Sequence, residues 1–466
     1  MSICDSGIES KVYGGTLTVE VSKRHPLVLL AQSLPWKELY EMVVSDIKNS
    51  TAKGQWWRGR KLKVRIHLGA YILQQLNNLT DRKIESDIKE NVAYQIFCGR
   101  TVVSNWKAPD HTKIETFRSR LTPDTQQKLA NLMAQHAVKI GIADPSKIDI
   151  DSTVQEANIT YPTDAKMLRK LGSIVAKVCQ HVNPHLPKKG KLSVNLKEIA
   201  SKARNYFFRK KDAAPKVKRA LLSHLLEAVS EPVHQVVSAC KDLKKSVFET
   251  LKWNVKRSIH QLLSHGENYL ASAQYFINTG KAKANKRLSF HANEVACFSK
   301  GKPHKKYEFG RSFQIGRLAG NILFIGKSDS TVMHDKRSLQ LMLEEHGRLF
   351  EGNKVNSLAT DKGYYSERNI RRASKKKIAE IGVQVPCNTQ LKDAQLSAEA
   401  TERLRNRRAG IEPLIGHLKQ GGQMGRSRMK KDQNVEASGY ASVLGFNLKQ
   451  IMRALVVREK NKNGRS

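Results

Sequence analysis

The segment KIDIDSTVQEANITYP, residues 147–162, decides the fold class of this 466-residue chain. Two isoleucines in it alternate with two aspartates, Asp149 and Asp151, in the two-residue period of a β-strand. Both carboxylates therefore lie on one face of the predicted strand. The residues that follow change to helical periodicity, with Thr163 or Asp164 as the N-cap, so strand and helix alternate here.

The rest of the chain predicts an α/β layer that is interrupted once. A long helical and basic region follows the first strand to about residue 290. Two β-strands are then predicted on either side of a Leu-Ala-Gly-Asn turn at 318–321, and a helix is predicted over 336–350. A strand that ends at Asp361, another at 381–386 and further helices follow. This order describes an α/β fold with a large helical insertion after its first strand.

The residues before the first strand carry helical periodicity. Helices are predicted from Leu62 to Asn78, from Asp81 to about Phe97, and from about Thr112. Several short helices in a basic context are typical of a helix-turn-helix module that binds DNA. The period does not identify a recognition helix, so a bundle that only supports the next domain is the alternative.

The chain is strongly basic. Lys and Arg number 82 against 42 Asp and Glu, so the net charge is +40 at pH 7, while 39% of the residues are hydrophobic. This apolar content excludes a wholly disordered basic tail. Because each phosphate that a cation neutralises releases condensed counterions, the excess of Lys and Arg predicts DNA or RNA as the partner.

One basic run lies between Leu186 and Arg219. It holds 12 Lys and Arg against two acidic residues, Glu198 and Asp212. A solvated helical face is the ordinary explanation of such a run, but an excess this one-sided favours a contact with nucleic acid. The residues of the run that we expect to bind DNA are Lys188, Lys189, Arg209, Lys210 and Lys211.

Membrane insertion and export are not expected. The sequence has no run of about 18 apolar residues, and its first fifteen residues lack the apolar stretch of a secretory signal. The six cysteines are scattered singly without zinc-site spacing, so we interpret them as reduced thiols. We therefore expect a cytoplasmic protein.

Three acidic residues occupy positions where a sheet can bring them together. Asp151 lies in the first strand, Asp361 ends a later strand, and Glu412 lies on a helix near the carboxyl end. Ligands in open α/β sheets gather at strand ends, and three carboxylates in one site repel one another unless a hard divalent cation neutralises them. The pattern predicts that these acids bind Mg²⁺ or Mn²⁺, with Asp149 as the rival of Asp151.

The helix around Glu412 carries cations beside this acid. The spacing of Arg405, Arg408, Glu412 and Lys419 places them along one side of a helix. A metal-binding carboxylate whose neighbours hold DNA phosphates fits this arrangement, and a ladder of surface ion pairs is the alternative. A glycine and a proline in the same stretch predict that the helix begins or kinks near Ile411.

Three segments resemble the motifs of bacterial insertion-sequence transposases of the DDE class, in the branch called insertion sequence five. They are IDIDSTVQEANITYPTD (148–164), NSLATDKGYYSE (356–367) and RRAGIEPLIGHLK (407–419). The resemblance extends over nearly the whole chain. It implies an RNase H-like catalytic fold with a mixed sheet, in which Asp151, Asp361 and Glu412 hold two Mg²⁺ or Mn²⁺ ions.

The resemblance also implies a mechanism. Such a protein binds the terminal inverted repeats of its element in double-stranded DNA, cleaves the ends and joins 3′-hydroxyls to target DNA by two-metal in-line phosphoryl transfer, as a homodimer on the DNA ends. The family's Arg, Glu and Lys signature corresponds to Arg408, Glu412 and Lys419. The tyrosine usually found shortly before the arginine is absent, because residues 404–407 read Leu-Arg-Asn-Arg.

Two other functions remain open at this point. A metal-dependent nuclease of the same fold would share the three acids without joining strands. A non-catalytic DNA-binding protein derived from a transposase would keep the charge and lose the acids, although all three are present.

We expect four regions in the chain. Residues 1–140 form a helical domain that binds DNA, 141–164 together with 295–455 form the RNase H-like catalytic domain, 165–294 form the basic helical insertion, and 456–466 form a basic tail.

Overall fold

The computed structural model of the chain describes residues 7–12, 15–50, 63–99, 108–187, 190–209, 213–292, 294–299, 306–329, 335–383 and 396–463. The chain divides into two compact units. The first holds Met1–Asn158 and Ala296–Ser466, and the second holds Ile159–Val295. The second unit therefore enters the sequence of the first as one continuous insertion.

The amino-terminal part of the first unit is mainly helical. Its elements are β1 (Gly7–Val12), β2 (Gly15–Glu20), α1 (Pro26–Ser33), α2 (Trp36–Ser50), α3 (Val64–Asn77), α4 (Asp81–Glu90), α5 (Val92–Phe97), α6 (His111–Arg120) and α7 (Pro123–Lys139). The antiparallel β1–β2 hairpin was not predicted. The prediction of one helix from Asp81 to Phe97 is wrong, because the extended Asn91 ends α4 and its side chain accepts a hydrogen bond from the Tyr94 amide to start α5.

The strand β3 (Asp144–Glu156) follows these helices, and the second unit follows β3. The helices of this unit are α8 (Asp164–Val182), α9 (Leu196–Arg209), α10 (Pro215–Lys241), α11 (Lys245–Thr250) and α12 (Trp253–Thr279). Of the two predicted caps of α8, Thr163 is the N-cap, because its side chain accepts a hydrogen bond from the Lys166 amide. The long helices enclose a core of their own, which includes Leu171, Leu222 and Ile259.

The first unit resumes after the insertion. Its elements there are β4 (Ala296–Ser299), β5 (Tyr307–Ala319), β6 (Ile322–Ile325), α13 (Asp335–Leu349), β7 (Ser357–Thr360), α14 (Glu367–Lys375), β8 (Glu380–Val383), α15 (Ala398–Ala409), α16 (Ile411–Gly421) and α17 (Asp432–Asn463). The strands β5 and β6 flank the predicted turn, where Gly320 and Asn321 both have positive φ. The part of the predicted strand 381–386 after Val383 lies outside the described residues.

Six strands form one mixed sheet in the order β4-β5-β3-β7-β8, with β6 paired to β5. β3 is antiparallel to β5 and parallel to β7, which is in turn parallel to β8. This sheet confirms the predicted α/β class and is consistent with an RNase H-like domain. In the parallel pair, Ile150 lies opposite Thr360, so the next residues of the two segments, Asp151 and Asp361, are neighbours.

The core of the first unit includes both its amino-terminal helices and its sheet. One hydrophobic cluster contains Leu68 and Phe117 from the helices, Ile148 and Phe324 from the sheet, and Leu444 from α17. The helix α17 packs against α1, α3, α7 and β6. Residues on both sides of position 140 therefore share one core. Among the described helices, none has the length and apolarity that crossing a bilayer requires.

Three buried cysteines of the described residues, Cys98, Cys179 and Cys240, are free thiols, as predicted. Burial raises the pKa of Cys98 to about 12, so this thiol stays protonated near neutral pH.

Candidate active site

Two of the predicted acids come from adjacent parallel segments of the sheet. Asp151 lies within β3, and Asp361 follows the last residue of β7. The Asp361 carboxylate accepts a hydrogen bond of 2.8 Å from the Gly363 amide and caps the 3₁₀ turn Lys362–Tyr364. This cap places the carboxylate at the strand end, as an Asx-type turn does.

The third acid lies on a separate helix. The predicted single face through Arg405 and Lys419 is divided between α15 and α16, because a break at Gly410 ends one helix and Ile411 begins the next. The prediction that a helix begins near Ile411 is confirmed. Gly410 keeps right-handed helical angles, so Arg408 and Glu412 still face each other across the break.

The guanidinium of Arg408 lies among the three carboxylates. Its Nη1 is 2.8 Å from Oε1 of Glu412, and its Nη2 is 3.4 Å from Oδ2 of Asp151 and 3.9 Å from Oδ2 of Asp361. Its Nε is buried without a hydrogen-bond partner. One cation thus pairs with acids from three separate parts of the chain.

The carboxylates of Asp151, Asp361 and Glu412 are suitable ligands for a divalent metal ion, but their oxygens lie further apart in the structure than in a formed metal site. Carboxylate oxygens are the ligands that Mg²⁺ and Mn²⁺ prefer. The exposed fraction of the side chain is 14% for Asp151, 32% for Asp361 and 60% for Glu412, so the site faces solvent on the α16 side. The triad is not among the groups of described residues whose ligand atoms all lie within 4.8 Å of one another.

Asp149 has a different environment from Asp151, although both lie on one face of β3. Its carboxylate is almost fully buried and bonds to two arginines, with 2.6 Å to Nη2 of Arg317 and 2.8 Å to Nε of Arg407. Arg407 also donates to Ser357 Oγ and to the carbonyl of Ile148. Both oxygens of Asp149 are thus engaged in joining β3, β5, β7 and α15.

Two residues near the acids were not predicted to belong to the site. A side chain at Gly363 would lie about 3.0 Å from carboxylate oxygens of both Asp335 and Asp361, so Asp335 is a fourth acid beside the strand end. Tyr364 is fully buried, and its pKa is raised well above its usual value, first by burial and then by the charges of Asp335, Asp151 and Asp361. Asp335 is the first residue of α13.

The predicted DNA-binding residues differ in their surroundings. Arg405 does not join the acids: it is exposed on α15 and lies 3.4 Å from Glu402. Lys419 is half-buried on α16, and Arg209 is exposed at the end of α9. The other predicted contacts, Lys188, Lys189, Lys210 and Lys211, lie outside the described residues.

One group of described residues does meet the spacing of a metal site, at the start of α6. It consists of Glu85, Asp110 and His111. Glu85 accepts hydrogen bonds from the side chain of Lys89 and from both the amide and the ring of His111, which lower its pKa to about 2. These contacts explain the group as a tether between α4 and α6.

Two parts of the sequence match families of transposase domains. Residues 289–448 match the family described as a transposase DDE domain, and residues 16–120 match a family described as a transposase domain. The carboxyl-terminal part of the chain is therefore similar to a transposase DDE domain. The match to the DDE domain includes Asp361 and Glu412, whereas Asp151 lies before it.

A curated relative adds no function. An uncharacterized protein, ORF8 in the nfe locus of Rhizobium meliloti, is 26% identical over 180 residues, which cover 37% of this chain and 82% of the relative. No solved structure gave a significant match. The DDE domain supports a transposase, which is a polynucleotidyl transferase kind of enzyme, and this kind of family implies DNA as the partner and divalent metal as the cofactor.

Proposed function

We propose that this protein is an insertion-sequence DDE transposase of the insertion-sequence-five-like branch, with an RNase H-like catalytic domain. It would bind the terminal inverted repeats of its element, cleave the DNA ends and join the 3′-hydroxyls to target DNA. The observation that carries the proposal is the meeting of Asp151, Asp361 and Glu412 around Arg408. These acids come from distant parts of a chain that matches the transposase DDE domain.

The three acids would hold Mg²⁺ or Mn²⁺, with two ions in the reacting complex. Bound divalent cations activate the attacking oxygen and stabilise the leaving oxygen of an in-line displacement. Asp361 is preorganised for this role because the Gly363 amide orients its carboxylate. Glu412 is the most exposed of the three, so its side chain can adjust on the solvent side of the site.

The cations near the acids would bind DNA phosphates. Arg408 and Lys419 lie on either side of Glu412 along α15 and α16 and would orient the backbone next to the scissile bond, while the basic insertion would add contacts that position the duplex without reading bases. We expect one protomer on each DNA end, as a homodimer, acting in the bacterial cytosol on double-stranded DNA.

Substitution of the acids tests the proposal. Asp151→Asn, Asp361→Asn and Glu412→Gln should each abolish cleavage of a duplex that carries the element end, because an amide keeps the shape and removes the charge that holds the cation. DNA binding, measured in EDTA, should change little. Glu402→Gln on α15 is the matched control and should cleave normally, since Glu402 pairs only with the exposed Arg405 among the contacts described for it.

A joining assay separates the proposal from a nuclease. Wild-type protein should transfer a preformed 3′-hydroxyl end into supercoiled target DNA in Mg²⁺ or Mn²⁺. Cleavage without joining would establish a metal-dependent nuclease, and neither activity together with tight binding would establish a non-catalytic DNA-binding protein. Any acid whose amide variant cleaves at the wild-type rate does not belong to the site.

A further inference from the structure

A basic cleft lies between α16 and α17 in the first unit. Its volume is about 330 Å³. The end of α16 contributes His417 and Gly421 to its lining, and α17 contributes Ser442, Lys449 and Arg453. None of the described residues that line the cleft is acidic. The absence of a carboxylate there sets this cleft apart from the site at Arg408.

Two cations of α17 face this cleft one helical turn apart. Lys449 is half-buried and Arg453 is exposed. No described acidic side chain lies within ion-pair distance of either of them, and like charges at i and i+4 of a helix repel each other. Burial, and next the positive charge of Arg453, lower the pKa of Lys449. A bound anion would relieve both the repulsion and the cost of burial.

The position of the cleft relates it to the reacting DNA. It begins five residues after Glu412 on the same helix and extends to nine residues after it. Since an α-helix rises 1.5 Å per residue, the cleft lies roughly 8–14 Å from Glu412 along the axis of α16. Successive phosphates of one DNA strand advance by about 3.4 Å along the duplex axis. A strand that passes Glu412 could therefore place a phosphate about two to four nucleotides further on at the cleft.

We propose that Lys449 and Arg453 form a binding site for a DNA backbone phosphate about two to four nucleotides from the bond that is cleaved. The proposal rests on the proposed function and adds a contact surface on α17. The small cleft suits one tetrahedral oxyanion with two charged donors. His417 and Ser442 lie at its wall and offer further hydrogen-bonding groups.

The first test is the salt dependence of binding to uncleaved duplex in EDTA. The double variant Lys449→Gln and Arg453→Gln should reduce the slope of log K against log salt by up to about 0.9, since the two side chains share one phosphate and each neutralised duplex phosphate contributes about 0.9. Its melting temperature should not fall, because two repelling charges are removed. The matched control, Lys460→Gln with Lys462→Gln near the end of the same helix, should keep the wild-type slope. Equal slopes in all three proteins would overturn the proposal.

The second test locates the phosphate. Duplexes with a single neutral methylphosphonate at successive positions should bind wild-type protein more weakly at one position, two to four nucleotides from the cleavage site. The same substitution should cost the double variant nothing further. If the penalty is the same in both proteins, the cleft does not hold that phosphate.

A third measurement distinguishes DNA from a free anion. Inorganic phosphate could stabilise wild-type protein against heat without stabilising the double variant, while the salt slope of DNA binding is the same in both proteins. This pair of results would identify a site for small anions and overturn the proposal. These readouts need no catalysis. If the proposed function is wrong, wild-type protein should neither cleave nor join DNA. The salt-slope and methylphosphonate results would still test the phosphate site in that case.

Discussion

Asp149 shows how one residue of a motif can be structural while its neighbour faces the site. Its carboxylate is buried between Arg317 and Arg407. Breaking a buried ion pair by removing one partner costs about 3–5 kcal/mol, because the other charges stay buried without compensation. We therefore expect Asp149→Asn to lower the free energy of unfolding by an amount of this order, measured by urea denaturation. Asp149→Asn is thus unsuitable as a silent control for Asp151→Asn.

The same strand offers a control for this prediction. Asp144 is exposed at the start of β3 and accepts a hydrogen bond from the Ser146 amide, which an asparagine can replace. Asp144→Asn should change the unfolding free energy by less than about 1 kcal/mol. If the two variants unfold at the same urea concentration, the double arginine contact of Asp149 contributes little to stability.

Arg408 occupies the space between carboxylates that we propose to bind metal. Arg408→Ala should leave these acids repelling one another, so the variant should melt lower than wild type in EDTA. Added Mn²⁺ should raise its melting temperature by more than it raises that of wild type, while end cleavage falls because a phosphate contact is lost. Arg405→Ala, which removes a cation paired with Glu402, is the control. An identical Mn²⁺ response in Arg408→Ala and wild type would argue against metal binding by these acids.

At the scale of elements, the close approach of α17 to α3 depends on a residue without a side chain. A Cβ on Gly445 would lie well inside van der Waals distance of the Gln75 carbonyl oxygen, which belongs to the backbone of α3 and cannot rotate away. Gly445→Ala should therefore destabilise the protein by about 1–3 kcal/mol, despite the better helix propensity of alanine. Thermal or urea denaturation measures this change.

Gly347 on α13 is the matched glycine for this test. A Cβ there would have no neighbour within 4 Å, and its backbone angle is ordinary. Gly347→Ala should raise the stability by up to about 1 kcal/mol, because alanine restricts the unfolded chain. The two substitutions should thus have opposite signs. Equal stabilisation by both would show that α17 and α3 separate easily.

At the scale of the whole molecule, the second unit adds charge together with a separate core. Residues 159–295 hold 26 Lys and Arg against 9 Asp and Glu, while their apolar residues form a cluster of their own. Replacing the five cations Lys188, Lys189, Arg209, Lys210 and Lys211 by Gln should flatten the salt dependence of DNA binding, measured on the full chain by fluorescence anisotropy.

A paired lysine of the same unit is the control for this neutralisation. Lys202 lies 2.7 Å from Glu198, so its charge is largely compensated. Lys202→Gln should leave the salt slope nearly unchanged. An unchanged slope in the fivefold variant as well would show that the basic run is a solvated face.

The sequence by itself determined most local features of this protein. Thr163, one of the two predicted caps of α8, is the observed N-cap, and the alternation of residues 147–151 predicted a strand. These features depend on hydrogen bonds and side-chain periods within a few residues, so local sequence is sufficient for them. The break at Asn91 was missed because a capping asparagine does not interrupt the helical period that surrounds it.

Only the tertiary structure decided which residues meet. The strand period predicts that Asp149 and Asp151 lie on one face. It does not predict which of the two aspartates pairs with the arginines of α15 and β5. Helical spacing likewise grouped Arg405 with Arg408, and the fold directs the first toward solvent and the second toward three carboxylates. The partners of these side chains come from segments up to 258 residues away in the chain, as between Asp149 and Arg407. No local period carries that information, because it is set by how strands pair and how helices pack across them.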